Sequence, residues 1–245
     1  MSLKKILTCF LLFFVPLQAI DFNEEGQQVS DEKEPLFVSL GYFCHIAIAT
    51  RDVGLRKTAM PFDWLVTAHY QGLIDVLNDR FEHFTDINCF AKQKGKIAPL
   101  NKYYRFGFPH DFNPNNLSEE EEKAQWLKFK NKYDRRIERF LNLNNYKGKV
   151  FFIRNFWSQP AEGTHGEFEN NTQYSKGLRE ALDRLFPSLD FTLIIWSYED
   201  LNIPEMEPIP GVIEFRIDRS HQTFLNKVKE LLKQLKLPMP PKYVT

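Results

Sequence analysis

The sequence has no surplus of charge, few cysteines and none of the short motifs that bind nucleotides or zinc. Lysine plus arginine equals aspartate plus glutamate at 32 each, so no overall field draws the chain to nucleic acid or to an anionic membrane. Neither GxGxxG nor a P-loop follows any apolar run, which removes the phosphate fingerprints of dinucleotide- and nucleotide-binding folds. HExxH and paired CxxC are missing too, so no metal site and no cofactor are expected. No internal repeat is visible. The longest apolar run, ILTCFLLFFVPL at residues 6–17, is too short for a transmembrane helix of about 20 residues.

That run lies between a basic MSLKK and an LQA that ends at Ala19, the order of a secretory signal peptide. Residues 1–19 are therefore read as a cleaved leader of a secreted or periplasmic protein, with an uncleaved N-terminal membrane anchor as the alternative. After cleavage no stable membrane insertion is expected. Cys9 leaves with the leader, and Cys44 and Cys89 remain as an even pair in a compartment that permits a disulfide.

What is present is an ordinary globular composition, 43% hydrophobic and 15% aromatic over 245 residues, enough to bury a sizeable core. Residues 20–34 are acidic and polar and read as a disordered lead-in. A single domain is expected over 35–237, with a proline-rich tail at 238–245. LFVSL (36–40), KVFFIRNF (149–156) and FTLIIWS (191–197) are apolar runs of the kind strands show when both faces are covered, and GVIEFRI (211–217) is a shorter, more alternating one. Helical spacing is predicted from Cys44 to about Arg51, over 65–79, over 174–186 and over 223–235. LSEEEEKAQWLKFKNKYDRRIERFL adds a capping box, Ser118 with Glu121, and an apolar stripe through Trp126, Phe129, Tyr133, Ile137 and Phe140. Residues 81–116 show no sustained period and read as a long excursion, a place where function concentrates. Strands alternating with helices predict an α/β fold, a mostly parallel sheet flanked by helices in three Rossmann-like layers.

In such sheets ligands bind outside the carboxyl ends of the strands. Those ends carry Ser39, Gly41 and Cys44, then Arg154 and Asn155, then Ser197, then Asp218. Cys44 would sit at a helix N-terminus, where unpaired amides and the helix dipole favour a thiolate. A nucleophilic thiolate needs a base. His45, His69, His83, His165 and His221 stand in helical, edge or polar-loop positions. His110, in FGFPHDFNPN with Asp111 beside it, is held by proline, glycine and asparagine in the excursion and is the favoured base.

VSLGYFCHIA (38–47) followed by GLRKTAMPFDWL (54–65), with FPHDF (108–112) downstream, resembles a family of unknown function catalogued as "putative papain-like cysteine peptidase". The specific motifs cover about residues 36–112, and the strand and helix pattern continues more diffusely to about 235. The resemblance implies Cys44 as nucleophile, His110 as base and a third group to orient the histidine, for which Asp111, Asn155 and Asp218 are the candidates. Asp63 of PFDW either lines the site or caps the helix after it. The resemblance also implies a papain-like α+β fold, the alternative to the parallel sheet. In papain-like proteins a CGSCW-like sequence surrounds the cysteine, and none is present. The leading expectation is a hydrolase in which the Cys44 thiolate attacks an amide or ester carbonyl of a peptide or other small substrate. The other is a non-peptidase Rossmann-like ligand-binding or transferase module in which Ser39, Gly41, Arg154 and Ser197 surround a phosphate or sugar. A structural or interaction protein of the envelope is a third.

Overall fold

The computed structural model describes residues 34–67, 69–93, 96–112, 117–156, 171–199, 205–218 and 220–239. The leader with its Ala19 cleavage, nearly all of the acidic lead-in, His165 and the end of the tail lie outside them. The chain enters through β1 (Leu36–Ser39), turns into α1 (His45–Asp52) and continues to α2 (Tyr70–Asn78). Three short strands follow, β2 (Phe90–Gln93), β3 (Lys96–Asn101) and β4 (Phe106–Gly107), and then the long α3 (Glu119–Leu141). The second half runs β5 (Val150–Asn155), α4 (Asn171–Leu185), β6 (Phe191–Tyr198), β7 (Val212–Ile217) and α5 (His221–Gln234).

The apolar runs make one parallel four-stranded sheet in the order β1-β5-β6-β7, with Leu36 opposite Val150, Asn155 opposite Trp196 and Tyr198 opposite Ile217. β5 and β6 are buried along their whole length, which is why their sequences do not alternate. Successive side chains point to opposite faces. Val150 and Phe152 join a core with Leu73 of α2, Phe129 of α3 and Leu178 of α4, while Phe151 and Ile153 join a second one with Ile46 of α1 and Phe224 and Val228 of α5. The expected α/β layering is therefore present, and among the described residues antiparallel pairing is confined to β2-β3-β4 and a single bridge from Val66 to Gly107 of β4. No described helix is long and apolar enough to cross a membrane.

Two expectations change. The helix predicted over 65–79 begins only at Tyr70, because Val66 is taken by a two-way backbone bridge to Gly107, each N–H donating to the other's carbonyl at 2.9 Å. The excursion is partly ordered into the small sheet, whose strands are short and irregular at Phe90/Lys92, too brief to show a period. Its phenylalanines are core: Phe84, Phe90, Phe106 and Phe108 are buried, and the first of them meets Tyr133 of α3 at 5.4 Å. The α3 capping box of Ser118 and Glu121 is present as read.

α2 meets the turn after β3 so closely that a Cβ on Gly72 would lie 2.0 Å from the Tyr104 carbonyl oxygen. Alanine is the better helix former by about 1 kcal/mol, yet Gly72→Ala is expected to destabilise by about 1–3 kcal/mol, the usual cost of overpacking. Urea unfolding decides the sign, and a gain in stability would show that the two segments separate freely.

Candidate functional site

The chain leaves β1 through a strained turn. Gly41 has φ +76° and Tyr42 φ +110°, a region that only glycine enters without cost. Three contacts fix the turn. The Gly41 N–H donates to Ser39 Oγ at 3.1 Å, the Tyr42 N–H donates to Thr67 Oγ1 at 2.8 Å, and the Thr67 N–H donates back to the Tyr42 carbonyl at 3.0 Å. A Cβ on Gly41 would lie 2.6 Å from Thr67 Oγ1 and 3.1 Å from the Phe62 carbonyl, so glycine is required for approach as well as for φ. The motifs SLGYFC and PFDWLVT, far apart in sequence, are thereby docked on each other.

Arg154 holds that junction from beneath. Its side chain is buried, with Nη1 donating to the Leu40 carbonyl at 3.1 Å and to Thr67 Oγ1 at 2.6 Å, and Nη2 donating to the Thr67 carbonyl at 2.6 Å. The guanidinium also lies 5.5 Å from the ring centres of both Tyr42 and Tyr70, within cation–π range. A residue read as a ligand contact is thus clamped into the architecture.

Asp63 shapes the other half of the junction. Its carboxylate accepts the Met60 N–H at 2.9 Å and Arg56 Nε at 3.0 Å, closing the PFDW turn. Burial pushes this carboxyl above the ordinary carboxylate range despite Arg56 beside it. The expected role of Asp63 as cap of the helix that follows is corrected: His69 caps α2, and the Asp63 carboxylate braces the PFDW turn instead.

Cys44 stands at the N-cap position of α1 with helical backbone angles, and its carbonyl accepts the Ile48 N–H at 2.8 Å. It is half-exposed and free, as is Cys89, so the bridge considered between them is not formed. His110 is exposed and rests edge-to-face on Trp64 of PFDW, with ring centres 6.2 Å apart. It therefore sits beside the segment docked on the cysteine turn, but among the described residues no hydrogen bond joins it to Cys44 or to Asp111. The Asp111 side chain is 3% exposed and is engaged elsewhere, by an ion pair with Lys132 and by the Tyr133 hydroxyl at 2.8 Å. The expected role of Asp111 as partner of His110 is corrected accordingly: its carboxylate anchors α3.

Asn155 ends β5. The Leu40 N–H donates to the Ile153 carbonyl at 2.8 Å, so the chain leading to Cys44 leaves the sheet alongside the last two residues of β5. By strand alternation Asn155 points with Phe151 and Ile153 toward the face covered by α1 and α5. Among the described residues its amide oxygen and nitrogen are both buried without a hydrogen-bond partner, and so is the indole N–H of Trp196, its opposite residue in register. Trp196 stacks on Phe224 of α5 at 4.5 Å, which places it on the same face. Such unsatisfied groups are uncommon in native interiors. Sequence reading missed Trp196 because the apolar run FTLIIWS hides its polar edge.

The remaining candidates are structural. Asp218 is exposed and accepts the Ser220 N–H at 2.8 Å, leading into α5, whose N-cap is Ser220. Ser197 Oγ donates to Glu214 Oε1 at 3.0 Å. His69 caps α2 through Nδ1, which accepts the Gly72 N–H at 3.2 Å, and burial together with Arg105 pushes its imidazole below the ordinary histidine range. His221 lies 3.5 Å from Asp52, at the far end of α1 from the cysteine. The structure thus places Ser39, Gly41, Cys44 and Asn155 at the carboxyl-end edge of the sheet, rests His110 on Trp64 of the PFDW segment, and engages Asp63, Asp111 and Asp218 in other contacts.

Fold and site together define an α/β protein that presents a free cysteine at a strand-to-helix turn. Residues 35–200 match the model of the family described as "Putative papain-like cysteine peptidase", and the chain belongs to that family. It is also similar to "Uncharacterized protein R408" of Acanthamoeba polyphaga mimivirus, at 27% identity over 174 residues, 64% of this chain and 72% of the viral one. No solved structure matches.

Proposed function

We propose that the chain is a cysteine hydrolase acting through Cys44 on an amide or ester carbonyl. The observation that supports this best is a free, half-exposed thiol at the start of α1, presented by a turn whose strained residue Tyr42 is pinned by Thr67 and Arg154. Strain kept at this cost is a hallmark of working sites. In the reaction, His110 takes the thiol proton and the sulfur bonds to the carbonyl carbon. The backbone N–H of Cys44 and the Asn155 carboxamide receive the negative oxygen, since the Gly41 and Tyr42 N–H groups are already engaged by Ser39 and Thr67. The carbon–nitrogen or carbon–oxygen bond then breaks, the leaving group accepts the proton, and water hydrolyses the thioester. His110 must close on Cys44 when substrate binds, a tightening that free enzymes commonly still await.

Brief iodoacetamide exposure near neutral pH, with and without reductant, followed by mass mapping, tests the nucleophile. Cys44 is expected to be modified well before Cys89, whose thiol is pushed above its ordinary range first by burial and then by Asp86. Equal or inverted labelling overturns the reading. The same spectra show whether the chain starts after Ala19, as expected for an exported protein, or keeps its N-terminus as an anchor.

The Asn155 amide and Trp196 indole N–H, without partners among the described residues, favour a second reading, a ligand-binding or transferase module whose ligand oxygens take those donors. A nucleotide, nucleotide sugar or glycan that raises the melting temperature of Cys44→Ala as much as of the unaltered chain would favour it over hydrolysis.

A further inference from the structure

Away from Cys44, the turn that leaves α2 brings together three side chains of different chemistry. The ligating atoms of His83, Asp86 and Cys89 all lie within 4.8 Å of one another, and each residue is half-buried. Their backbone is fixed from several sides. The His83 N–H donates to the Tyr104 hydroxyl at 3.0 Å, and the His83 carbonyl accepts Asn101 Nδ2 at 2.8 Å. Asp86 uses Oδ1 to accept the Asn88 N–H at 2.9 Å, capping a 3-10 turn at Ile87–Cys89. This leaves Oδ2 facing Cys89 Sγ at 3.7 Å. The Cys89 carbonyl accepts the Lys102 N–H at 2.7 Å. The His83 ring packs on Tyr103, with centres 4.3 Å apart, and among the described residues neither ring nitrogen has a hydrogen-bond partner.

We propose that His83, Asp86 and Cys89 form a binding site for a divalent cation of the zinc class. One imidazole, one carboxylate and one thiolate suit a borderline-soft ion. With Zn–S near 2.3 Å and Zn–N or Zn–O near 2.0 Å, a tetrahedral ion sets its ligand atoms roughly 3.3–3.5 Å apart. The sulfur-to-carboxylate separation of 3.7 Å is already close to that, and a side-chain rotation of His83 completes the set. As the ion binds, the thiol that now donates to Asp86 releases its proton to solvent and the sulfur becomes the ligand. Three protein ligands leave the fourth position to water. The bound ion would tie the exit of α2 to the start of β2. The spacing HxxDxxC carries no paired cysteines or histidines to mark it in the sequence, because a carboxylate on a tight turn supplies the middle ligand.

The site is independent of the Cys44 chemistry and is tested without it. The chelator-treated full-length chain, carrying Cys9→Ala and Cys44→Ala so that of its three cysteines only Cys89 remains, is titrated with Co²⁺ and then Zn²⁺. One equivalent of Co²⁺ is expected to give a thiolate-to-cobalt charge-transfer absorption in the near ultraviolet, which Zn²⁺ then abolishes by displacement. Zn²⁺ should also raise the melting temperature. Adding His83→Ala should weaken binding by about tenfold or more, as expected when one of three ligands is lost. Cys89→Ser in the otherwise unaltered chain should remove the charge-transfer absorption. A double variant that folds and shows no such absorption overturns the site. So does an absorption in the double variant that His83→Ala and Asp86→Ala each leave unweakened.

Discussion

Replacing Arg154 with alanine is expected to lower the unfolding free energy by roughly 3–5 kcal/mol, the range for deleting a large buried side chain. Two effects combine. The first is packing: the side chain is 1% exposed and lies 5.5 Å from the ring centres of Tyr42 and Tyr70, so its removal leaves a cavity. The second is polar. The Leu40 and Thr67 carbonyls and Thr67 Oγ1 all accept from this guanidinium, and a buried acceptor left without a donor costs about 1–3 kcal/mol. Arg154→Lys should recover only part of the loss, because one ammonium cannot reproduce the fork. Chemical denaturation monitored by tryptophan fluorescence measures this. A loss below about 1 kcal/mol would show that the turn stands without its clamp.

The largest expected effect on activity comes from Cys44→Ser, which changes one atom at a half-exposed position. Stability should hold to within about 0.5 kcal/mol, as for surface substitutions outside special features. Turnover of an activated ester should fall by about a thousandfold or more, since the hydroxyl is a far weaker nucleophile at neutral pH than sulfur. His110→Ala should cost about a hundred- to ten-thousandfold, the usual contribution of general acid–base catalysis. Turnover unchanged in Cys44→Ser would remove the hydrolase reading. Loss in Cys44→Ser with none in His110→Ala would keep the nucleophile and reassign the base.

Much of the architecture was legible in the chain because it rests on local periodicity. Continuous apolar runs marked the strands β5 and β6, and a capping box with a regular stripe marked α3. The position of Cys44 followed from strand-then-helix order, and the SLGYFC, PFDW and FPHDF segments carried the family resemblance. What stayed hidden depends on contacts between distant residues. Asp111 adjoins His110 in sequence, but neighbouring side chains diverge, and Lys132 and Tyr133 offered its carboxylate better partners. Residues 65–69 have the spacing of a helix, yet Val66 pairs with Gly107, a tertiary override that propensity cannot foresee. The open donor of Trp196 and the convergence of His83, Asp86 and Cys89 likewise appear only when the chain is folded.

Among the described residues β1 lies at the rim of the parallel sheet and pairs with β5 alone, and the clamp from Arg154 reaches Leu40 across 114 residues of sequence. Contacts of such long range pay a large loop-closure entropy before they return anything. The cysteine turn should therefore be among the last parts to assemble in folding. A chain emerging from the ribosome carries Cys44 early but gains its β5 support only after most of the fold has been synthesised. Until then the thiol is an ordinary residue on an unfinished polypeptide, and whatever reactivity the turn confers is withheld until β5 has been made.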